Sequence, residues 1–108
     1  TLYAALDYAF KQAGHPNVYM GTVEAYPDAR AVLEQLGKKN IRRVYLTPFM
    51  LVAGDHACND LAGEDEDSWN SLFKARGYET CCILKGLGEY DGICDLYIRH
   101  ARQALLQP

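Results

Sequence analysis

The stretch TPFMLVAGDHACNDLAGEDEDSW, Thr47 to Trp69, joins an apolar, strand-like segment to a histidine with acids on either side. Phe49, Met50, Leu51 and Val52 read as the end of a buried strand, Ala53 and Gly54 let the backbone turn sharply, and Asp55 stands where a helix N-cap would stand. His56 therefore lies at the mouth of a strand-to-helix turn. In open α/β sheets, ligands bind in the crevice at the carboxyl ends of strands, so a titratable, metal-competent side chain at that place is a candidate for function. The plainer reading is a polar turn residue beside a helix cap.

Upstream of this junction, Ile41 to Leu46 reads as a strand, with Val44 and Leu46 as core positions and Pro48 marking its end. Pro27 and Asp28 open a helix whose apolar face is Ala29, Val32, Leu33 and Leu36, closed by Gly37 and by Lys38 and Lys39 near the negative end of its dipole. Asn17 to Val23, rich in Val, Tyr and Met and bounded by turn residues, reads as a strand buried on both faces. Leu2, Leu6, Ala9, Phe10 and Ala13 recur at helical spacing, so Thr1 to Ala13 reads as a helix that Gly14 and Pro16 stop.

Downstream, short helices over Asp55 to Leu61 and Ser68 to Ala75 flank the acidic run Glu64 to Asp67, whose default meaning is a solvated loop. Ser68 is the expected N-cap of the second, which carries Trp69, Leu72 and Phe73 inward. Glu79 to Leu84 is the last strand, Gly86, Gly88 and Gly92 punctuate the loop after it, and Asp91 to Leu106 is the final helix. The alternation predicts an α/β fold: a small parallel sheet of three strands flanked by helices on both faces, with a further amino-terminal strand expected upstream of the opening helix.

A chain of 108 residues forms one domain at most, so residues 1–108 are read as a single α/β lobe. An apolar fraction of 49% and a charged fraction of 23% are those of an ordinary water-exposed domain, and no apolar run is long enough to cross a bilayer. With a net charge of −3 and basic residues clustered only in pairs, there is no field to hold nucleic acid. Cys58, Cys81, Cys82 and Cys94 lack both zinc-knuckle spacing and the density of a disulfide scaffold, and read as small core residues or free thiols. They permit the cytoplasm; the periplasm is the alternative.

Glu24 follows the first expected strand and His56 the second, so both project toward one sheet edge. A glutamate and a histidine form an O/N pair suited to Co²⁺, Ni²⁺, Fe²⁺ or Zn²⁺, and the same groups can accept protons near neutral pH. Glu24 could equally cap the helix that Pro27 opens. Other readings carry less. Gly86 and Gly88 lack the full spacing of a phosphate loop, so no nucleotide is expected. Cys81 and Cys82 point to opposite faces of a strand, Asp55 and Asp60 suit local bonding around a helix end, and His15 and His100 suit the surface.

The run MLVAGDHACNDLAGEDEDSW (Met50 to Trp69), with GTVEAYP (Gly21 to Pro27) and LTPFM (Leu46 to Met50), resembles the anaerobic cobalt chelatases of the sirohydrochlorin type, class II tetrapyrrole chelatases. The resemblance extends over nearly the whole chain and matches the carboxyl-terminal half of that family. It implies an enzyme of two similar α/β lobes with the site in the cleft between them. Such an enzyme inserts Co²⁺ into sirohydrochlorin, or its precursor precorrin-2, during cobalamin synthesis without ATP. It further implies that Glu24 is the active-site glutamate and His56 the metal-binding histidine of this lobe. The family's other histidine belongs to a segment before the opening helix, so this stretch by itself is expected to bind metal poorly and not to turn over. The implied partners are sirohydrochlorin or a related tetrapyrrole and the amino-terminal lobe, and a homo-oligomer is compatible. Nickel or ferrous chelation on the same macrocycle, or a binding module without chemistry, are the alternatives.

Overall fold

Asp28 and Ser68 decide where two of the helices begin. The Asp28 carboxylate accepts the Ala31 N–H at 2.9 Å and the Ser68 hydroxyl accepts the Ser71 N–H at 3.1 Å, each satisfying a donor that the first helical turn leaves free. The computed structural model describes residues 2–106, in the order α1 (Leu2–Gln12), α2 (Ala29–Leu36), β1 (Arg43–Leu46), α3 (Asp55–Ala62), α4 (Trp69–Ala75), β2 (Glu79–Cys82), a short 3₁₀ turn (Leu87–Glu89) and α5 (Asp91–Leu106). Thr1, the expected first residue of the opening helix, lies outside the described residues.

Two helices end by the same device. Gly14 and Gly77 take φ of +93° and +92°, the left-handed region that glycine enters without a Cβ clash. After α1, the His15 N–H then reaches the Phe10 carbonyl at 2.9 Å; after α4, the Tyr78 N–H reaches the Phe73 carbonyl at 3.2 Å. The second stop is reinforced by Tyr78, whose ring tilts against that of Phe73 with centroids 6.1 Å apart.

β1 and β2 pair in parallel, Arg43 opposite Glu79 through Leu46 opposite Cys82. The α/β architecture with a small parallel sheet is as expected, but the described sheet has two strands rather than three. Asn17 to Val23 is not a strand. Its backbone donors go elsewhere: the Met20 N–H to the Asp7 carboxylate of α1 at 3.0 Å, the Val18 N–H to His15 O and the Thr22 N–H to Pro27 O. Asp7 also holds Lys11 at 2.7 Å, so the segment is moored to α1 by polar bonds instead of entering a ladder.

The core lies on one face of the sheet. Ala29, Val32, Leu33 and Leu36 of α2 cluster with Leu46 of β1 and Phe73 of α4, which is only 1% exposed, and Val44 and Cys82 pack against them. Burial, and after it the neighbouring Cys81, push the Cys82 thiol above its ordinary range. Helices were expected on both faces; on the other, Arg43, Tyr45, Glu79 and Cys81 stand exposed, and α1, α3 and α5 contain no buried residue.

The apolar run Phe49 to Val52 is the second departure from expectation. It is no strand, and its side chains are 46% to 76% exposed. Pro48, buried and without an N–H, ends the ladder. The carbonyls of Met50 and Leu51 then accept the N–H groups of Leu87 and Gly88 at 2.8 and 2.9 Å. Among the described residues, no helix is long and apolar enough to cross a membrane.

Candidate functional site

The segment Gly21 to Pro27 carries Glu24 on a loop that Thr22 closes. The Thr22 N–H donates to the Pro27 carbonyl at 2.7 Å, and the Thr22 hydroxyl accepts the Ala25 N–H at 2.9 Å. Pro27 is buried at the start of α2, whereas Glu24 is exposed at the tip. The loop is seated at its other end by Gly21, where a Cβ would fall on the Trp69 ring and close to Val32. That contact connects the Glu24 loop physically to the end of the Thr47–Trp69 junction, and the need for glycine is steric, not conformational.

Gly21→Ala is therefore expected to destabilise the fold by about 1–3 kcal/mol through overpacking. Trp69 is the sole tryptophan of the chain, so the displacement should be read directly as a shift in intrinsic emission. Unchanged emission and an unchanged melting temperature would count against this seating.

His56 is the second residue of α3 and is exposed. Gly54, rather than Asp55, occupies the N-cap position, with no side-chain cap; Asp55 instead opens the first turn, where its charge suits the positive end of the helix. Helical periodicity places His56 on the same face of α3 as Asn59 and Asp60. Those two, with Val23, Arg30, Trp69 and Leu72, help line an open cleft of ≈ 290 Å³ between the Glu24 loop and α4. Glu24 and His56 do not line it, although each is adjacent to an element that does.

Among the described residues, no group of three or more His, Cys, Asp or Glu side chains is disposed to hold a metal ion. The acidic residues Asp65 and Asp67 border the cleft, while Glu64 and Glu66 do not, which matches a solvated loop better than a chelating cluster. All four cysteines are free.

The apolar run before His56 is held from behind by the loop after β2. Gly86 is buried, and a Cβ there would lie 2.6 Å from the Leu51 carbonyl oxygen and 3.0 Å from the Ala53 nitrogen. The Glu89 carboxylate accepts the Gly86 N–H at 2.9 Å and fixes that loop. The glycines that sequence spacing excluded from phosphate binding thus serve a close backbone approach that displays Phe49 to Val52 outward. The seating roles of Gly21, Thr22 and Gly86 are absent from the sequence reading; an isolated glycine beside a strand-like pattern was their only local signal.

These observations define the class: an α/β lobe with a one-sided core, an exposed apolar run after β1 that leads toward His56 at the start of α3, and Glu24 on the loop before α2. Residues 1–106 match the model of the cobalt chelatase (CbiK) family, and the chain belongs to that family. It is 41% identical over 103 residues to the sirohydrochlorin cobaltochelatase of Salmonella typhimurium strain LT2, covering 95% of this chain and 39% of that protein. It is 33% identical over 90 residues to the sirohydrochlorin cobaltochelatase CbiKC of Nitratidesulfovibrio vulgaris strain Hildenborough, covering 83% of this chain and 32% of that protein. The chain thus spans well under half the length of these relatives.

Proposed function

We propose that this chain supplies the carboxyl-terminal lobe of a sirohydrochlorin cobaltochelatase, with Co²⁺ and the metal-free macrocycle as substrates. The observation that carries this reading, beyond family membership, is the exposed Phe49 to Val52 run leading directly into His56. A tetrapyrrole needs an apolar surface for its ring and a ligand to hand over a partly desolvated cation. A neutral imidazole at His56 coordinates Co²⁺, and the Glu24 carboxylate, on a loop pinned at both ends, accepts a pyrrole proton as the metal enters. The displaced protons pass to carboxylate and then water. The reaction changes no oxidation state and needs no nucleotide.

The site is shared with a second surface, which the same reading assigns to the amino-terminal lobe. A folded monomer of 12.1 kDa exposes about 6,000 Å², whereas this chain exposes 8133 Å². The excess, about 2,100 Å², is what one partner contributes to a large obligate interface. The radius of gyration, 16.0 Å, likewise exceeds the roughly 13 Å of a self-contained domain of this length. The cytoplasm is the proposed compartment, with the periplasm as the alternative, and the four free thiols are compatible with a reducing environment.

Glu24→Gln in the full-length protein keeps the shape of the side chain and removes its basicity. Cobalt insertion is expected to fall about 100-fold, with macrocycle affinity within twofold of the parent. Unimpaired insertion would remove Glu24 from proton transfer. Parallel assays with Co²⁺, Ni²⁺ and Fe²⁺ separate a cobalt enzyme from one serving another ion, since the same donors accept all three. Tight macrocycle binding without insertion of any of these would favour a binding module.

A further inference from the structure

The chain has a net charge of −3, yet the proposed macrocycle is itself a polyanion, so its carboxylates require a local cation on the rim. The topology sorts the cations. Lys38 and Lys39 follow α2, Arg42 and Arg43 begin β1, and Lys74 and Arg76 close α4, all at the amino edge of the sheet, away from the Glu24 loop. Lys11 is engaged by Asp7. Arg99 and Arg102 lie along α5, beyond its first two turns. Among the described residues, Arg30 and Lys85 are left at the carboxyl edge. Arg30 shares its cleft with Asp28, Asp60, Asp65 and Asp67, which repel a carboxylate.

Lys85 has different surroundings. It lies three residues beyond the end of β2, is half-buried, and takes part in neither of the ion pairs formed among the described residues, Lys11–Asp7 and Arg43–Glu79. Its ammonium sits 4.2 Å from the centroid of the exposed Tyr90 ring. The carboxylates close in sequence, Glu89 and Asp91, form no ion pair with it, and Glu89 accepts the Gly86 N–H instead. The loop that carries Lys85 and Tyr90 is bonded to Met50 and Leu51 through Leu87 and Gly88, so the cation and the aromatic ring stand on the same support as the apolar run. A flat ring with acidic side chains needs that combination: apolar and aromatic surface for the ring, and a positioned charge outside any ion pair for its edge.

We infer that Lys85 binds a peripheral carboxylate of the tetrapyrrole, with Tyr90 fixing the ammonium; this rests on the chelatase reading above. Lys85 is a binding residue that selects polycarboxylate macrocycles, not a participant in metal insertion.

The test uses the full-length protein and two metal-free probes: uroporphyrin, with a carboxylate on every peripheral substituent, and mesoporphyrin, with far fewer. Lys85→Gln is expected to weaken uroporphyrin binding about 5- to 20-fold at low salt, to flatten its salt dependence, and to leave mesoporphyrin within twofold. Lys85→Arg should restore uroporphyrin binding. In turnover, Lys85→Gln should raise KM for sirohydrochlorin while kcat stays within twofold. Unchanged uroporphyrin binding in Lys85→Gln, with the parent binding normally, would overturn the role of Lys85 and leave the chelatase reading intact. Equal weakening of both probes would overturn it too, by showing that Lys85 only supports the loop. A parent protein that binds neither probe would overturn the chelatase reading itself.

Discussion

Alanine at His56 is expected to lower cobalt insertion in the full-length protein by roughly 100-fold or more while leaving the fold intact, as loss of a metal-handling group does. His56 is exposed at the start of α3, packs in no core and caps nothing, so its removal costs little stability. The melting temperature should stay within a few degrees of the parent's, and macrocycle binding should persist because the apolar run at Phe49 to Val52 is untouched. The informative measurement pairs single-turnover metal insertion with Co²⁺ titration of the macrocycle-free protein. Insertion at the parental rate would remove His56 from the site and leave Glu24 without its proposed partner. If Co²⁺ affinity and insertion fall together, the imidazole acts as a ligand; if insertion alone falls, it acts on protons.

Alanine at Phe73 is expected to do the reverse, destroying the fold and with it everything the fold positions. Phe73 is 1% exposed, stacks on Trp69 with ring centroids 5.7 Å apart and is tilted against Tyr78 at 6.1 Å. Truncation removes a large apolar side chain and leaves a cavity between α2, α4 and β1, at a cost of about 3–5 kcal/mol. A domain of this size has about 5–15 kcal/mol in total, and the melting temperature should drop by about 15 °C or more. Leucine at the same position, which refills most of the space, should cost about 1.5 kcal/mol or less. Thermal unfolding followed by circular dichroism separates the two variants. An alanine variant melting within a few degrees of the parent would mean that the core is organised elsewhere.

Local chemistry made most helices legible. Ser68 caps where its side chain predicts, Gly14 ends α1 where the sequence predicts, and α2 buries the apolar face read from its spacing, although its cap is Asp28 and not Glu24. Two of the departures concern segments whose conformation is settled by distant groups. Asn17 to Val23 has strand composition, but the Met20 N–H is claimed by Asp7, thirteen residues earlier, and no local pattern reveals that bond. Phe49 to Val52 is apolar enough for a core, yet apolarity says only that a segment gains by leaving water, not what will cover it. Of the candidate site, the turn into α3 that carries His56 was readable; the expectation that Glu24 follows a first strand was not met, because Asn17 to Val23 forms none. The supports of both residues were not readable, because Gly21 against Trp69 and Gly86 against Leu51 are contacts between segments far apart in the chain.

The one-sided core has a consequence for how tightly the chemistry is held. Among the described residues the hydrophobic core cluster lies in α2, β1 and α4, with Cys82 of β2 packed against it, and the amides there are expected to exchange with solvent only on global unfolding. Glu24 and His56 ride outside that block, on a loop and on the first turn of a helix with no buried residue. Such segments open at a fraction of the free energy needed to unfold the whole, so a cation held there is held by a lattice that breathes. On the proposed chelatase reading, a grip looser than the scaffold would be an asset: Glu24 and His56 could release a cation without the protein coming apart.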